Sequence, residues 1–150
     1  MGPLLASLLA LSSAQSVKAP VSDPYPGSLE ELARDLRGND ASRRRFAIRE
    51  MNRTARVARK HEFGPLDSDR TMDAIQKLEF LDDHAAPTCL KHLQIDLEVR
   101  GCARLLGHLE TSGARRILSE ARSRTTKKAD IRAIDRTLRI LEAAAHESAP

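Results

Sequence analysis

The chain has 150 residues, one domain's worth and enough for a modest core. Apolar residues make up 41% but aromatics only 3%, with no Trp, so the core must be built from Leu, Ile, Ala and Met. Charged residues reach 31% against seven Gly and seven Pro, a balance that points away from a β-sandwich and towards an all-α protein. The chain opens MGPLLASLLALSSAQ, an apolar run from Leu4 to Leu11 followed by Ser12, Ser13 and Ala14. The run is too short to span a bilayer, which takes about 20 apolar residues. It fits a signal peptide over 1–14, cleaved after Ala14, although no Lys or Arg precedes it. A periplasmic or secreted protein is therefore expected, and no Cys follows the run to carry a lipid anchor. Residues 15–27, with three prolines, read as a flexible leader to a helical domain over 28–146 and a short disordered tail, 147–150.

Helical periodicity begins at Ser28. Ser28 and Glu31 form a capping box, followed by the stripe Leu29, Leu32, Ala33 and Leu36 and a stop at Gly38. Asp40 or Ser42 caps a longer helix reaching about Lys60, with Ala47, Ile48, Met51, Ala55 and Ala58 on one face. Arg45, Arg49, Arg53, Arg56 and Arg59 form a ridge on the other, while Phe46 and Val57 flank the apolar side. HEFGPL is a loop. Asp67 or Ser68 then opens a helix with Met72, Ile75, Leu78 and Leu81 inward. Pro87 suits the first turn of a short helix carrying Cys89, Leu90 and Leu93. Asp96 is expected to cap the next, striped by Val99, Cys102, Ala103, Leu106 and Leu109. Thr111 or Ser112 opens another, with Ala114, Ile117, Leu118 and Ala121 inward. After SRTTKK the last helix carries Ile131, Ile134, Leu138, Leu141 and Ala145. That makes seven helices joined by short turns.

VRGCARLLGHLE, starting at 99, aligns with IRAIDRTLRILE, starting at 131, an offset of 32. Val/Ile, two Arg/Arg, two Leu/Leu and Glu/Glu pairs coincide. A period in this range marks stacked helix hairpins. The pattern D-x-x-V-R-x-x-A-x-x-L-G-x-L, read from Asp96, Val99, Arg100, Ala103, Leu106, Gly107 and Leu109, resembles the second helix of a HEAT repeat. The resemblance implies an α-solenoid of stacked antiparallel hairpins whose second helices line one surface. It also implies a role in protein–protein contact. An irregular helical bundle is the alternative architecture.

Candidate chemistry is sparse. Cys89 and Cys102 fall at matching levels on either side of a turn near residue 95, and a disulfide between them or two reduced core thiols both fit. Cys89, His92, Cys102 and His108 invite a zinc reading. Cys102 and His108, however, lie about 120° apart on a helix, so no metal site is expected. There is no C-x-x-C, G-x-S-x-G, H-E-x-x-H or glycine-rich phosphate loop, and Asp82-Asp83-His84 reads as a helix end before Pro87. We therefore expect no catalytic residues and no cofactor.

Charge alternates along the chain. Residues 34–60 carry ten basic and three acidic side chains, 61–98 three and nine, and 99–150 eleven and six. The alternation and the scarcity of aromatics argue against a nucleic-acid face. The candidate binding residues are Arg45, Arg49, Arg53 and Arg56 on the ridge. Arg100, Arg104, Arg132 and Arg136, which recur in the repeat, join them. An acidic protein is the expected partner and an anionic lipid surface the other. A solvated face, paired in part with the acidic helix that follows, is the plainer reading of the ridge. The remaining alternatives are a nucleic-acid-binding helical repeat and a relative of HEAT-like lyases.

Overall fold

The computed structural model describes residues 28–148, all helical apart from short connections, with no strand among them. The signal peptide and leader expected over 1–27 lie outside the described residues. Among the described residues seven helices follow in order: α1 Leu29–Arg37, α2 Ala41–His61, α3 Asp69–His84, α4 Ala86–Gln94, α5 Val99–Leu109, α6 Ala114–Arg124 and α7 Lys128–Ser148. The last runs two residues past the boundary expected at 146.

Side-chain caps start the first three helices. Ser28 Oγ accepts from the Glu31 amide (3.3 Å), Asp40 Oδ1 from Arg43 (3.0 Å) and Ser68 Oγ from Thr71 (3.4 Å). Each satisfies an amide that the helix leaves without a partner. Gly38 ends α1 with φ −79 and ψ 178, extended backbone open to any residue.

Two expected caps are wrong. Asp96 does not open α5. It ends α4 instead, in left-handed geometry with φ 58. The Leu97 amide donates to His92 O (2.8 Å) and the Asp96 amide to Leu93 O (3.3 Å), a Schellman closure. The Asp96 carboxylate turns to Arg124, which donates through Nε (3.0 Å) and sends Nη2 to Leu93 O (2.8 Å). Helix α5 starts at Val99, after left-handed Glu98, without a side-chain cap. Neither Thr111 nor Ser112 caps α6, which follows Gly113 at φ 82. A second Schellman closure ends α5, where left-handed Glu110 donates to Gly107 O (3.1 Å) and Thr111 to Leu106 O (3.1 Å). A non-glycine residue in this region costs about 1–2 kcal/mol, and Glu110 is exposed. Glu110→Gly is therefore expected to raise stability by about 0.5–1 kcal/mol in urea unfolding, after allowance for glycine's larger unfolded-state entropy.

Helix α5 is the centre of the molecule. It packs against α2 on one side and α7 on the other, so these three form a row. Helices α4 and α6 touch each other and cover α5 and α7, while α1 and α3 pack on α2. Leu36, Met51, Leu81, Leu93, Leu105, Leu106, Leu118 and Ile134 are fully buried between these layers. Each such aliphatic side chain contributes about 1.5–3 kcal/mol by leaving water. The stripes hold with local exceptions. Met72 is 42% exposed because α3 turns Thr71, Ala74 and Leu81 inward instead. Val57 is 45% exposed, and Ala145 lies beyond the end of the core.

Cross-links fix this arrangement. Cys89 in α4 and Cys102 in α5 are joined as a disulfide, with Cα atoms 5.0 Å apart. The buried His92 ring donates from Nε2 to Leu36 O (2.8 Å), tying α4 to the end of α1. Thr137 Oγ1 donates to Ala103 O (2.7 Å), tying α7 to α5. Asn52 Nδ2 donates to Gly101 O (3.0 Å), tying α2 to α5.

Candidate arginine binding surface

The row α2–α5–α7 brings together arginines that are far apart in sequence. Spacing of three or four residues puts each set on one side of its helix. Helix α2 presents Arg45, Arg49 and Arg56, α5 presents Arg100, Arg104 and His108, and α7 presents Arg132, Arg136 and Arg139. Three adjoining concavities record the convergence. Arg100, Arg104, Arg132, Arg136 and Arg139 line a groove of about 470 Å³ between α5 and α7. Arg56, Arg104 and Arg136, one from each helix, line a pocket of about 280 Å³ with His108. Arg45, Arg49 and Arg100 line a third, of about 450 Å³, which also holds Asp96, Glu98 and Asp130. The first two share Arg104 and Arg136.

Pairing separates these arginines into two kinds. Arg100 meets Asp130 (3.4 Å), and Arg49 lies over the Phe46 ring, 5.7 Å from its centroid. Arg56, Arg104, Arg132, Arg136 and Arg139 have no carboxylate within ion-pair distance among the described residues. Asp135 lines the groove but is held by Arg122, whose Nε donates to Oδ1 at 2.6 Å. That hydrogen bond, with the nearby Arg122 and Arg139 charges, keeps the Asp135 carboxyl below its ordinary range despite slight burial. Two members of the ridge leave it. Arg53 bonds to the buried Glu50 (2.6 Å) and lines a different hollow, between α2 and α3. Arg59 folds inward, donating from Nε to His108 O and from Nη1 to Glu62.

His108 senses the field of the cluster. Burial and the charges of Arg56, Arg136, Arg59 and Arg104 push its pKa below the ordinary 6.5. These arginines come from all three helices of the row. In the sequence His108 stands out only as a metal candidate, and Arg139 not at all. The signals were present, because His108 follows Arg104 by four residues and Arg139 follows Arg136 by three. Both spacings extend an existing stripe.

The disulfide occupies both thiols of the suggested zinc set, and among the described residues no group of three or more His, Cys, Asp or Glu could hold a metal ion. His84 packs its ring on Phe80, with centroids 4.6 Å apart, at the exposed end of α3. No helix among the described residues is long and apolar enough to cross a membrane.

No family model, curated protein or solved structure matches this chain. The functional reading therefore rests on the residues themselves.

Proposed function

We propose that this is an exported, non-enzymatic helical-repeat protein, stacked in the HEAT manner, whose arginine surface binds an acidic protein partner. The repeat reading is supported by the offset of 32 between the segments starting at 99 and 131. Those segments lie in α5 and α7, which are neighbours in the row. The export reading rests on the leader sequence.

One observation carries the binding reading. Five arginines from three helices face one another across the pocket and groove with no carboxylate in ion-pair distance among the described residues. Like charges held together in this way cost free energy in the isolated molecule, and an anionic partner relieves it. A merely solvated face would disperse or pair its charges.

Charge reversal tests the reading. Arg104→Glu with Arg136→Glu is expected to weaken partner capture from the native envelope fraction at least a hundredfold, since two like charges then oppose the partner. Arg116→Glu, on α6 where Arg116 pairs with Glu120 (3.0 Å), is the control and should leave capture intact. Equal loss with both variants, or with neither, sinks the surface.

A further inference from the structure

We infer that the pocket between α2, α5 and α7 is a ligand site for a tetrahedral oxyanion of the phosphoryl class. The inference rests on the reading of this face as a binding surface and narrows what it recognises. Arg56, Arg104 and Arg136 reach the pocket from three different helices. A carboxylate is planar and offers two oxygens, which one guanidinium fork can satisfy. A terminal phosphoryl group offers three oxygens splayed in space, so three forks arriving from three sides can each take one.

The pocket is built for charge. Among the described residues no carboxylate lines it. The nearby acids are engaged elsewhere. Glu62 and Glu110 pair with Arg59, and Asp135 with Arg122. His108, half-buried at the wall, faces Arg56 and Arg59 from α2, Arg104 from α5 and Arg136 from α7. A neutral imidazole there adds a neutral donor. Arg104 and Arg136 also border the larger groove, where Arg132 and Arg139 stand without carboxylate partners among the described residues. A second phosphoryl group bonded to the first would therefore still meet guanidinium. Ile140 and Ala133 supply apolar wall for an ester substituent.

The test uses three probes on the full chain at physiological ionic strength: inorganic pyrophosphate, phosphatidylcholine vesicles with and without phosphatidic acid, and a Glu-rich peptide. If the ligand is a free anion, calorimetry gives saturable pyrophosphate binding that Arg104→Gln weakens about tenfold or more. If it is a lipid headgroup, vesicles bind only with phosphatidic acid, with the same dependence on Arg104. In either case the His108 titration moves upward on saturation, because the anion offsets the arginine field. Arg104→Lys keeps the charge but loses the fork, and should fall between wild type and Arg104→Gln. Arg104 is exposed, so the variants are expected to fold, which matching thermal melts would check. Arg104-dependent binding of the peptide alone overturns the oxyanion site and leaves the partner surface standing. Pyrophosphate binding indifferent to Arg104 overturns it too. No binding of pyrophosphate or of phosphatidic acid vesicles likewise overturns the oxyanion site, while the partner surface is still judged by the charge-reversal capture.

Discussion

Replacing Cys89 and Cys102 together with Ala is expected to cost about 3 kcal/mol of stability, the value for closing a loop of this size. The cysteines are 13 residues apart, and both are fully buried. The loop they close contains the end of α4, the left-handed Asp96 and the start of α5. Without the bond the unfolded chain regains that freedom, while the native contacts stay nearly the same. Thermal unfolding followed by circular dichroism should show a midpoint lower by roughly 10 °C. Thiol alkylation of the native protein without reductant should find no free thiol. Added reductant should act at a rate set by opening of the fold, because a thiolate cannot reach a buried sulfur. An unchanged midpoint in the double variant would show that the bond contributes nothing.

Gly101→Ala is the second change expected to act strongly, at about 1–3 kcal/mol through overpacking. A β-carbon at Gly101 would lie 2.7 Å from Ile48 Cγ1 and 2.9 Å from Cγ2, closer than carbon atoms approach. Ile48 is buried, so it cannot simply swing into water. Helix α2 would have to move away from α5, and the Asn52 bond to Gly101 O would stretch with it. Removing the obstruction supplies the check. Ile48→Ala makes room, so the double variant Gly101→Ala, Ile48→Ala should lose less than the sum of the two single losses. Strict additivity in urea unfolding would show that the contact does not limit the approach of the helices. Gly107 serves the same purpose towards α7, where a β-carbon would meet Thr137 Oγ1 at 3.0 Å.

Much of this fold is legible along the chain, because the signals concerned are local. Ser28, Asp40 and Ser68 cap helices because their short side chains reach an amide three residues on, and that spacing is visible in the sequence. The inward stripes of α2 and α5 follow from helical geometry alone. Asp96 misleads for a physical reason. An Asp before an apolar stripe looks like a cap, but here it closes the preceding helix in left-handed backbone, and Arg124 from α6 holds its carboxylate. Nothing near Asp96 in sequence announces Arg124. Glu98 and Glu110, also left-handed, are equally silent, because the residue type carries no preference for that conformation.

The arginine surface is half legible. Each stripe can be read from its own helix, but their meeting depends on α5 lying between α2 and α7. The sequence also groups Arg53 and Arg59 with the ridge. Arg53 turns to Glu50 three residues back on the same helix, and Arg59 reaches the His108 carbonyl on α5; only the second contact is tertiary.

His108 offers the most direct test that the three helices bring their charges to one place. Its pKa, followed by NMR through the ring resonances, should lie below 6.5 in the native protein. A depressed histidine binds its proton more weakly when folded than when unfolded. This site therefore costs stability as pH falls from 6.5 through the folded value, and costs nothing above that window. Arg56→Gln, Arg104→Gln and Arg136→Gln, one on each helix, should each move the pKa upward, and the triple variant furthest. A His108 pKa at or above 6.5, or one that none of the three substitutions moves, would contradict the convergent arginine surface.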